Sequence, residues 1–293
     1  MNKIVVTGGA GFIGTNALLY FKNKYPAGQL VSFDIAQPIF PVKGVEYIHG
    51  DVRSFLHLKE VLMGAEKVFH LAAELGTHET FLNPDITNEI NVGGTLNVLE
   101  LAKEYGFSLF VASKPNIWLN PYSISKEAAE KYALMYVKEY GVKVAVLKWF
   151  SVYGPYQYVY KYQKAVPTFV NRAIKDMPIF VYGDGKQMAD FVWVEDAIRA
   201  ADEIVSKGIF GEVIEYGSGT GTRVIDLVEL IIRLTGSKSK IKYLPMRIGE
   251  DSGSKVCANT ERAKLLIGVR PTSLEVGLKK TIAFYQGKRE FFY

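Results

Sequence analysis

The sequence predicts an α/β fold in which a doubly wound parallel sheet, covered by helices on both faces, is joined to a smaller C-terminal lobe. The first observation is that short apolar runs alternate with helical patterns through the first half of the 293 residues. The second is a glycine-rich turn between the first apolar run and the first helix. Such alternation is typical of parallel strands joined by crossover helices. The predicted strands are residues 4–6, 30–34, 45–51, 67–71, 108–112 and 142–147, and the clearest helices are residues 85–104 and 123–140.

The turn at residues 7–14 carries glycines spaced as G-x-x-G-x-x-G. Glycine permits the dihedral angles of a tight turn, and a Cβ there would keep a pyrophosphate from the backbone amides of the helix N-terminus. The last glycine lets the helix lie close to the strand. The alternative is a turn that binds nothing. We interpret the turn as a dinucleotide site, with contacts from Gly8, Gly11, Phe12, Ile13 and Gly14.

Two carboxylates follow at the ends of predicted strands. Asp34 comes about 20 residues after the turn, where a carboxylate accepts hydrogen bonds from the ribose hydroxyls of NAD. It would repel the 2′-phosphate of NADP, and Ile35 and Ala36 supply no arginine to hold one. Asp51, together with Val52, could face the adenine amine. Each aspartate could instead cap a turn.

The fourth predicted strand ends in His70, Leu71, Ala72 and Ala73. Ligands of doubly wound sheets bind at the carboxyl ends of the strands, and small residues leave room for backbone there. His70 itself is interpreted as a packed histidine and not as a catalyst. The sequence therefore predicts a Rossmann-type core with an NAD site at this end of the sheet.

The alternation weakens after Pro155. Two helices (166–175 and 223–235), a short strand (179–182) and a strand that returns to the main sheet (209–216) are predicted there. The two lobes are therefore expected to be interleaved. The predicted NAD-binding core comprises residues 1–155 with 189–216 returning to it, and the substrate lobe comprises residues 156–188 and 217–293.

The composition excludes several classes of protein. The net charge of +5 is mild, and no basic run suggests nucleic acid. No apolar run approaches the roughly 18 residues of a membrane helix. Because the first predicted strand begins at residue 4, we expect no signal peptide. The single cysteine, Cys257, fits a reducing compartment and shows no metal-ligand spacing with the four histidines. We therefore expect a cytoplasmic protein without a metal site.

The strongest catalytic signal is Tyr122 followed by Lys126. Residues four apart on a helix point to one face. An ammonium near a phenol favours the phenolate and lowers the pKa of the tyrosine, and the lysine can also hold the nicotinamide ribose. The spacing is common by chance, but its place after the fifth strand of a dinucleotide fold makes the signal strong.

With these motifs in order, the chain resembles the extended short-chain dehydrogenase/reductases, and among them the nucleotide-sugar epimerase/dehydratase group. The matches run through nearly the whole chain: residues 7–14, Asp34, Asp51, Val52, residues 70–73, Asn91 to Thr95, Tyr122, Lys126, residues 151–155, residues 182–187, residues 190–196 and residues 247–250. Many ordered matches are more specific than any one motif.

The resemblance implies a mechanism. Tyr122 would remove the proton of a sugar hydroxyl while a hydride passes to NAD, and the keto sugar would turn over and be reduced on its other face. The resemblance also implies cofactor contacts from Leu71, Ala72, Ala73, Asn91, Tyr122 and Lys126. The helices 85–104 and 123–140 match helices that pair two subunits, which implies a homodimer, although a buried core helix would look the same.

Departures from the family pattern fall in the substrate half. The family carries a Ser/Thr after the fifth strand that bonds the reacting hydroxyl; Ser113 is the candidate, although an ungapped alignment puts Lys114 or Pro115 near that place. An asparagine on the substrate side is Ser151 here, and one of two arginines that contact the nucleotide is Ala189. The second, Arg247, is present. A tyrosine-rich run at 156–162, with Lys161, either binds the substrate or packs between lobes.

The same departures narrow the reaction. The dehydratases of this group carry an Asp-Glu pair after the Ser/Thr, and the decarboxylases a glutamate; Lys114 and Pro115 are neither. Epimerase-reductases use a cysteine and a histidine, and Cys257 lies too far along the chain. An NAD-dependent epimerase of a nucleotide-diphosphate sugar, acting at C4 of a UDP-sugar, is what remains. The alternatives are a dehydrogenase, reductase or dehydratase on another sugar nucleotide or small alcohol, and a nucleotide-binding protein without catalysis.

Overall fold

A computed structural model describes residues 3–115, 118–158, 164–251 and 253–288. Its strands are β1 (Lys3–Thr7), β2 (Gln29–Asp34), β3 (Val45–His49), β4 (Lys67–His70), β5 (Ser108–Ser113), β6 (Val144–Trp149), β7 (Ser151–Tyr153), β8 (Ile179–Tyr182), β9 (Met188–Trp193), β10 (Val213–Tyr216), β11 (Gly221–Arg223) and β12 (Ile241–Leu244). Its helices are α1 (Phe12–Lys24), α2 (Phe55–Leu62), α3 (Pro84–Asn88), α4 (Gly94–Tyr105), α5 (Pro121–Tyr140), α6 (Ala165–Ile174), α7 (Val194–Ser206), α8 (Val224–Thr235), α9 (Glu261–Leu266) and α10 (Leu274–Gly287).

The main sheet has seven parallel strands in the order β10-β6-β5-β4-β1-β2-β3. The chain reverses its direction of winding between β1 and β4, where Thr7 lies opposite His70. Ligands of doubly wound sheets bind at such a switch point, beyond the carboxyl ends of the strands. The predicted α/β, Rossmann-type fold is therefore confirmed.

Each face of this sheet buries its own apolar cluster, because side chains alternate along a strand. Ile4 and Val6 pack with α1 and α7, whereas Val5 packs with α2, α4 and α5. Strands covered on both faces are apolar throughout, which explains the continuous apolar runs of the sequence.

The second lobe is built around a third apolar cluster. It contains a three-stranded sheet in the order β11-β9-β7, the parallel pair β12-β8, and helices α6, α8 and α10. The chain enters this lobe at β7, returns to the main sheet at β10, and leaves again. The domain boundaries proposed from the sequence stay a prediction.

Three predicted elements differ most from the observed ones. The helix over 85–104 is α3, a π-helical turn at Glu89–Gly93, and α4. The strand over 142–147 begins at Val144, because Val142 N–H donates to Tyr136 at the end of α5. The strand over 209–216 begins at Val213, because Ile209 N–H donates to Ile204 at the end of α7.

Candidate active site

The glycine turn brings the backbone of three segments into close contact. Gly8 has φ +73°, and a Cβ on it would lie 2.7 Å from Ala72 N. A Cβ on Gly14 would lie 2.1 Å from the carbonyl oxygen of Gly8. Gly11 caps α1 without a side-chain hydrogen bond, so the first N–H groups of the helix face the space beyond β1. A negatively charged pyrophosphate fits this cradle.

Asp34 is held beside the turn. Its Oδ2 accepts a hydrogen bond from Ala10 N–H at 2.9 Å, and its Oδ1 accepts one from Ala36 N–H at 2.9 Å. These bonds orient the carboxylate at the carboxyl end of β2, and a carboxylate has lone pairs left for ribose hydroxyls. Both the capping role and a place beside a dinucleotide are therefore compatible with its position.

Asp51 is engaged by Arg53. It accepts hydrogen bonds from Arg53 N–H at 2.9 Å and from the guanidinium Nη2 at 2.6 Å. The guanidinium beside it lowers the pKa of the Asp51 carboxyl. Val52 is buried against Gly94, where a Cβ would lie 2.6 Å from Val52 Cγ2. Asp51 thus caps the turn before α2, and its adenine contact stays a prediction.

His70 lies in a chain of hydrogen bonds that determines its tautomer. Thr95 Oγ1 donates to Asn91 O at 2.6 Å, so it accepts from His70 Nε2–H at 3.1 Å. His70 Nδ1 then accepts from Thr7 Oγ1 at 2.8 Å. Burial lowers the pKa of His70 to about 3, with a further contribution from Lys126. His70 is a neutral packed histidine, as the sequence indicates.

Asn91 and residues 71–73 hold the loop that follows β4. Asn91 Oδ1 accepts from Glu74 N–H at 2.8 Å, and its Nδ2 donates to Glu74 O and to Ser125 Oγ. Its polar side-chain atoms therefore have partners within the protein, so Asn91 supports the loop, and its cofactor contact stays a prediction. Leu71 and Ala72 donate their N–H groups to Thr7 Oγ1, while Leu71 and Ala73 line the cavity described below.

Tyr122 and Lys126 lie in the first turns of α5. Asn120 caps this helix by accepting a hydrogen bond from Ser123 N–H at 2.9 Å, and Pro121 occupies its first turn. The two side chains share one face, one turn apart. Lys126 is buried, and desolvation lowers its pKa to about 8 although Glu130 acts in the opposite direction. A buried cation beside a phenol suits general acid–base chemistry.

Ser113 is buried at the end of β5 and donates its hydroxyl proton to Glu130 Oε2 in a short hydrogen bond. The other oxygen of Glu130 lies 3.5 Å from Lys148 Nζ. The Ser113 side chain therefore belongs to a buried network with Glu130 and Lys148, although it also lines the cavity.

Lys114 lies close to the face of α5 that carries Tyr122 and Lys126. Its Nζ donates to Ser123 Oγ at 2.5 Å and stands 5.4 Å from the centre of the Tyr122 ring and 5.8 Å from that of Trp118. Burial lowers the pKa of Lys114 to about 8, with further contributions from the charges of Lys164 and Lys126.

A cavity of about 850 Å³ extends from the glycine turn across the carboxyl ends of the strands into the second lobe. It brings Phe12 and Ile13 into one space with Tyr122 and Lys126. Ser151 and Ala189 line its far side. The elements that meet here are distant in the sequence, which is why the cavity has no local signal.

The phosphate-binding candidates lie at the second lobe. Arg247 lines the cavity, pairs with Glu250 at 2.5 Å and stacks on the Tyr182 ring at 4.7 Å. Lys164, which the sequence reasoning missed, lines the cavity immediately before α6, whose N-terminus opens there. The sequence feature that could have indicated Lys164 is its place directly before a strongly amphipathic helix. Burial lowers the pKa of Lys164.

Tyr156 packs against Phe40 and Phe284, with ring centres 5.1 and 4.5 Å away. This part of the tyrosine-rich run packs between lobes; Lys161 lies outside the described residues. Among the residues that the structure describes, no group of three or more His, Cys, Asp or Glu side chains could hold a metal ion. Across the same residues, every helix is too short or too polar to traverse a lipid bilayer.

Comparison with known proteins agrees with this geometry. The profile of the NAD dependent epimerase/dehydratase family matches residues 4–217. A UDP-glucuronate 4-epimerase from Thermodesulfobacterium geofontis is 29% identical over 316 residues, which cover 96% of this chain and 95% of that protein. The crystal structure of UDP-glucose 4-epimerase with UDP-glucose from Thermotoga maritima has a TM-score of 0.91 and 28% identity, covering 98% of this chain and 99% of that one. A dTDP-glucose 4,6-dehydratase from Bacillus anthracis in complex with NAD has a TM-score of 0.87 and 28% identity, covering 100% and 99%.

Proposed function

This chain belongs to the NAD dependent epimerase/dehydratase family, and from that premise we propose that it is an NAD-dependent nucleotide-sugar epimerase acting at C4 of a UDP-sugar. The observation that carries the proposal is the shared cavity: Tyr122 and Lys126 open into the same space as Phe12 and Ile13 at the glycine turn. A sugar held there would lie within reach of Tyr122 as a base and beside the residues that would hold NAD.

The cofactor half fits NAD on the evidence of its backbone. A Cβ at Gly8 or Gly14 would push apart the backbone segments that form the cradle, and Asp34 is oriented beside it. We therefore assign the pyrophosphate to the turn and the first N–H groups of α1, and the adenosine ribose to Asp34. When bound, NAD supplies the hydride acceptor and donor, so the reaction has no net redox change.

The chain's own residues move the proton. Tyr122 accepts the proton of the C4 hydroxyl as the C4–H bond breaks, and returns it to the oxygen when the C–H bond re-forms on the other face. The Lys126 ammonium favours the deprotonated phenol and orients the site. The keto sugar must turn over between the two steps, and the 850 Å³ cavity provides room for it.

The nucleotide end has its own charges. We assign the diphosphate to Lys164, the N-terminus of α6 and Arg247, which line the same cavity. Lys164 then substitutes for the arginine that is missing at Ala189. Water elimination is not expected, because the position after Ser113 that carries an acidic pair in dehydratases holds Lys114 and Pro115.

A homodimer and a cytoplasmic location are part of the proposal. The side chains of Ile86, Ile124, Tyr132 and Tyr140 are exposed on α3 and α5, and an apolar surface of this kind suits a helix-to-helix interface. Sedimentation of the wild type and of Ile124→Glu tests the dimer: we expect the substitution to shift the protein to monomer. The single cysteine fits a reducing cytoplasm.

The test is a panel of uridine-, guanosine- and cytidine-diphosphate sugars incubated with the purified protein. We expect interconversion of two C4 epimers of a UDP-sugar, with no net change in nicotinamide absorbance. A net change would instead indicate a dehydrogenase or reductase, and loss of water a dehydratase. Binding without any turnover would identify a non-catalytic nucleotide-binding protein.

A further inference from the structure

The position next to the reacting tyrosine offers two hydrogen-bond donors, Ser113 and Lys114. They are consecutive in the chain, and their side chains bond different turns of α5. Ser113 points to Glu130, and Lys114 points to the first turn of α5. Only one of them has a proton to spare for a ligand in the cavity.

Ser113 has a single hydroxyl proton, and it is committed. The acceptor, Glu130, is itself buried and held by Lys148 at 3.5 Å. Redirecting the proton would leave a buried carboxylate oxygen without its donor, which is costly in a site of low dielectric. Ser113 can therefore accept a hydrogen bond from a ligand but is poorly placed to donate one.

Lys114 has the opposite balance. An ammonium group has three N–H donors, and the bond to Ser123 Oγ uses one of them. Two protons remain, above the Tyr122 ring and inside the cavity. The Nε1–H of the neighbouring Trp118 is buried and has no hydrogen-bond partner among the described residues, so this end of the cavity is supplied with donors.

We propose that Lys114, and not Ser113, donates the hydrogen bond to the sugar oxygen that Tyr122 deprotonates; this assignment rests on the proposed epimerase function. The oxygen carries most negative charge between alcohol and ketone, in both directions of the reaction. A fixed ammonium stabilises that charge most in the transition state. Lys114 keeps its proton throughout, while the transferred proton goes to Tyr122 and the hydride to the nicotinamide.

A purely structural role for Lys114, as a clasp between β5 and α5, makes a different prediction. Loss of a structural link would weaken substrate binding, cofactor retention and stability together, and Ser123→Ala would reproduce the effect of removing the lysine. Removal of a hydrogen-bond donor that acts in the transition state lowers mainly kcat. Lys114→Arg, which keeps the charge but moves its donors, should recover part of the lost kcat.

The experiment compares the purified NAD-containing wild type with Lys114→Met, Lys114→Arg and Ser113→Ala, each checked for retained NAD and thermal unfolding. The exposed Lys143→Met is the control for loss of a lysine. For Lys114→Met we expect kcat to fall about 100-fold with KM changed less than about three-fold, as for loss of one preorganised donor. The fold decrease in kcat for Ser113→Ala should be at least about ten-fold smaller than that for Lys114→Met.

Each result has one meaning. Equal or larger loss in Ser113→Ala overturns the assignment in favour of the serine. Unchanged kcat in Lys114→Met, or a loss confined to KM, overturns it in favour of a binding or structural lysine. If the wild type interconverts no sugar nucleotide in the panel, the proposed function is wrong, and the assignment of Lys114 is wrong with it. If the wild type and Lys114→Met are equally active, only the assignment of Lys114 is wrong.

Discussion

The two halves of the active site differ in where their polar groups find partners. In the cofactor half, Asp34, His70 and Asn91 are bonded to the protein itself. Ser32 Oγ, beside Gly9, is the exception there, because it is buried without a hydrogen-bond partner among the described residues. In the substrate half, five buried side-chain atoms that line the cavity have no hydrogen-bond partner among the residues that the structure describes: Trp118 Nε1, Trp149 Nε1, Gln157 Oε1, Thr168 Oγ1 and Gln187 Oε1.

This difference shows that the cofactor half is shaped before any ligand arrives. A group bonded to its own backbone has a fixed direction, so the cradle costs little reorganisation on binding. Unpaired buried groups carry a desolvation cost that a ligand or an ordered water molecule can offset. The substrate half is therefore expected to depend on its ligand, and substitutions in the two halves should separate chemistry, cofactor binding and substrate binding.

The largest effect is expected where the halves meet. Tyr122→Phe removes the proton acceptor but keeps the ring, so turnover should fall about 10²–10⁴-fold while NAD stays bound. Tyr243→Phe, at an exposed position on β12, is the control. Single-turnover assays with a UDP-sugar measure the step directly. Activity within a few-fold of wild type would remove Tyr122 from the mechanism.

The cofactor half should break at its backbone. In Gly14→Ala the new Cβ meets the Gly8 carbonyl at 2.1 Å, so α1 must move away from β1. We expect a loss of about 1–3 kcal/mol in the free energy of unfolding, together with weaker NAD retention. Gly93→Ala is the matched control, because nothing lies within 4 Å of its Cβ. Urea unfolding and the NAD content of the purified protein report both effects; equal losses in the two variants would contradict the cradle.

The same contrast explains what could be predicted from the sequence. The glycine turn, Asp34 and the alternation of strands and helices follow from local spacing, and most predicted strands and helices have nearly the observed bounds. The direction of Ser113 could not be predicted, because its partner Glu130 lies on another element and is chosen by packing. Lys164 could not be predicted for the same reason, because its role depends on a cavity formed by segments distant in the chain.

Lys164 tests the substrate half without touching the cofactor. Lys164→Met keeps the apolar stem and removes the charge assigned to the diphosphate. We expect UDP-sugar binding to weaken about 10–100-fold, the size of one charge-assisted hydrogen bond, with unchanged NAD content. Calorimetric titration of the NAD-loaded protein measures the change, and Lys143→Met is again the surface control. Wild-type affinity in Lys164→Met would leave Arg247 and the helix N-terminus as the diphosphate site.

The smallest effect distinguishes the halves by pH. In the cofactor half, burial lowers the pKa of His70 to about 3 from a usual value of 6.5. Below pH 6.5 His70 therefore binds a proton in the unfolded chain but not in the folded protein, so stability falls as the pH falls towards 3. Burial lowers the pKa of Lys114 in the substrate half, and of Lys126 where the halves meet, to about 8. Between that value and the usual 10.5 the unfolded chain again holds more protons, so stability rises with pH in that alkaline window.

His70→Gln isolates the acid window. The variant loses part of its hydrogen-bond chain, so its stability is lower at every pH, and the slope is the diagnostic. Between pH 6.5 and 5 the wild type should lose up to about 1.4 kcal/mol per pH unit through this residue, and the variant should lack that contribution. Urea unfolding across this range measures the slopes, with the exposed His49→Gln as control. Parallel slopes in wild type and His70→Gln would mean that His70 becomes charged without unfolding, and the cofactor half would then be less rigid than its hydrogen bonds indicate.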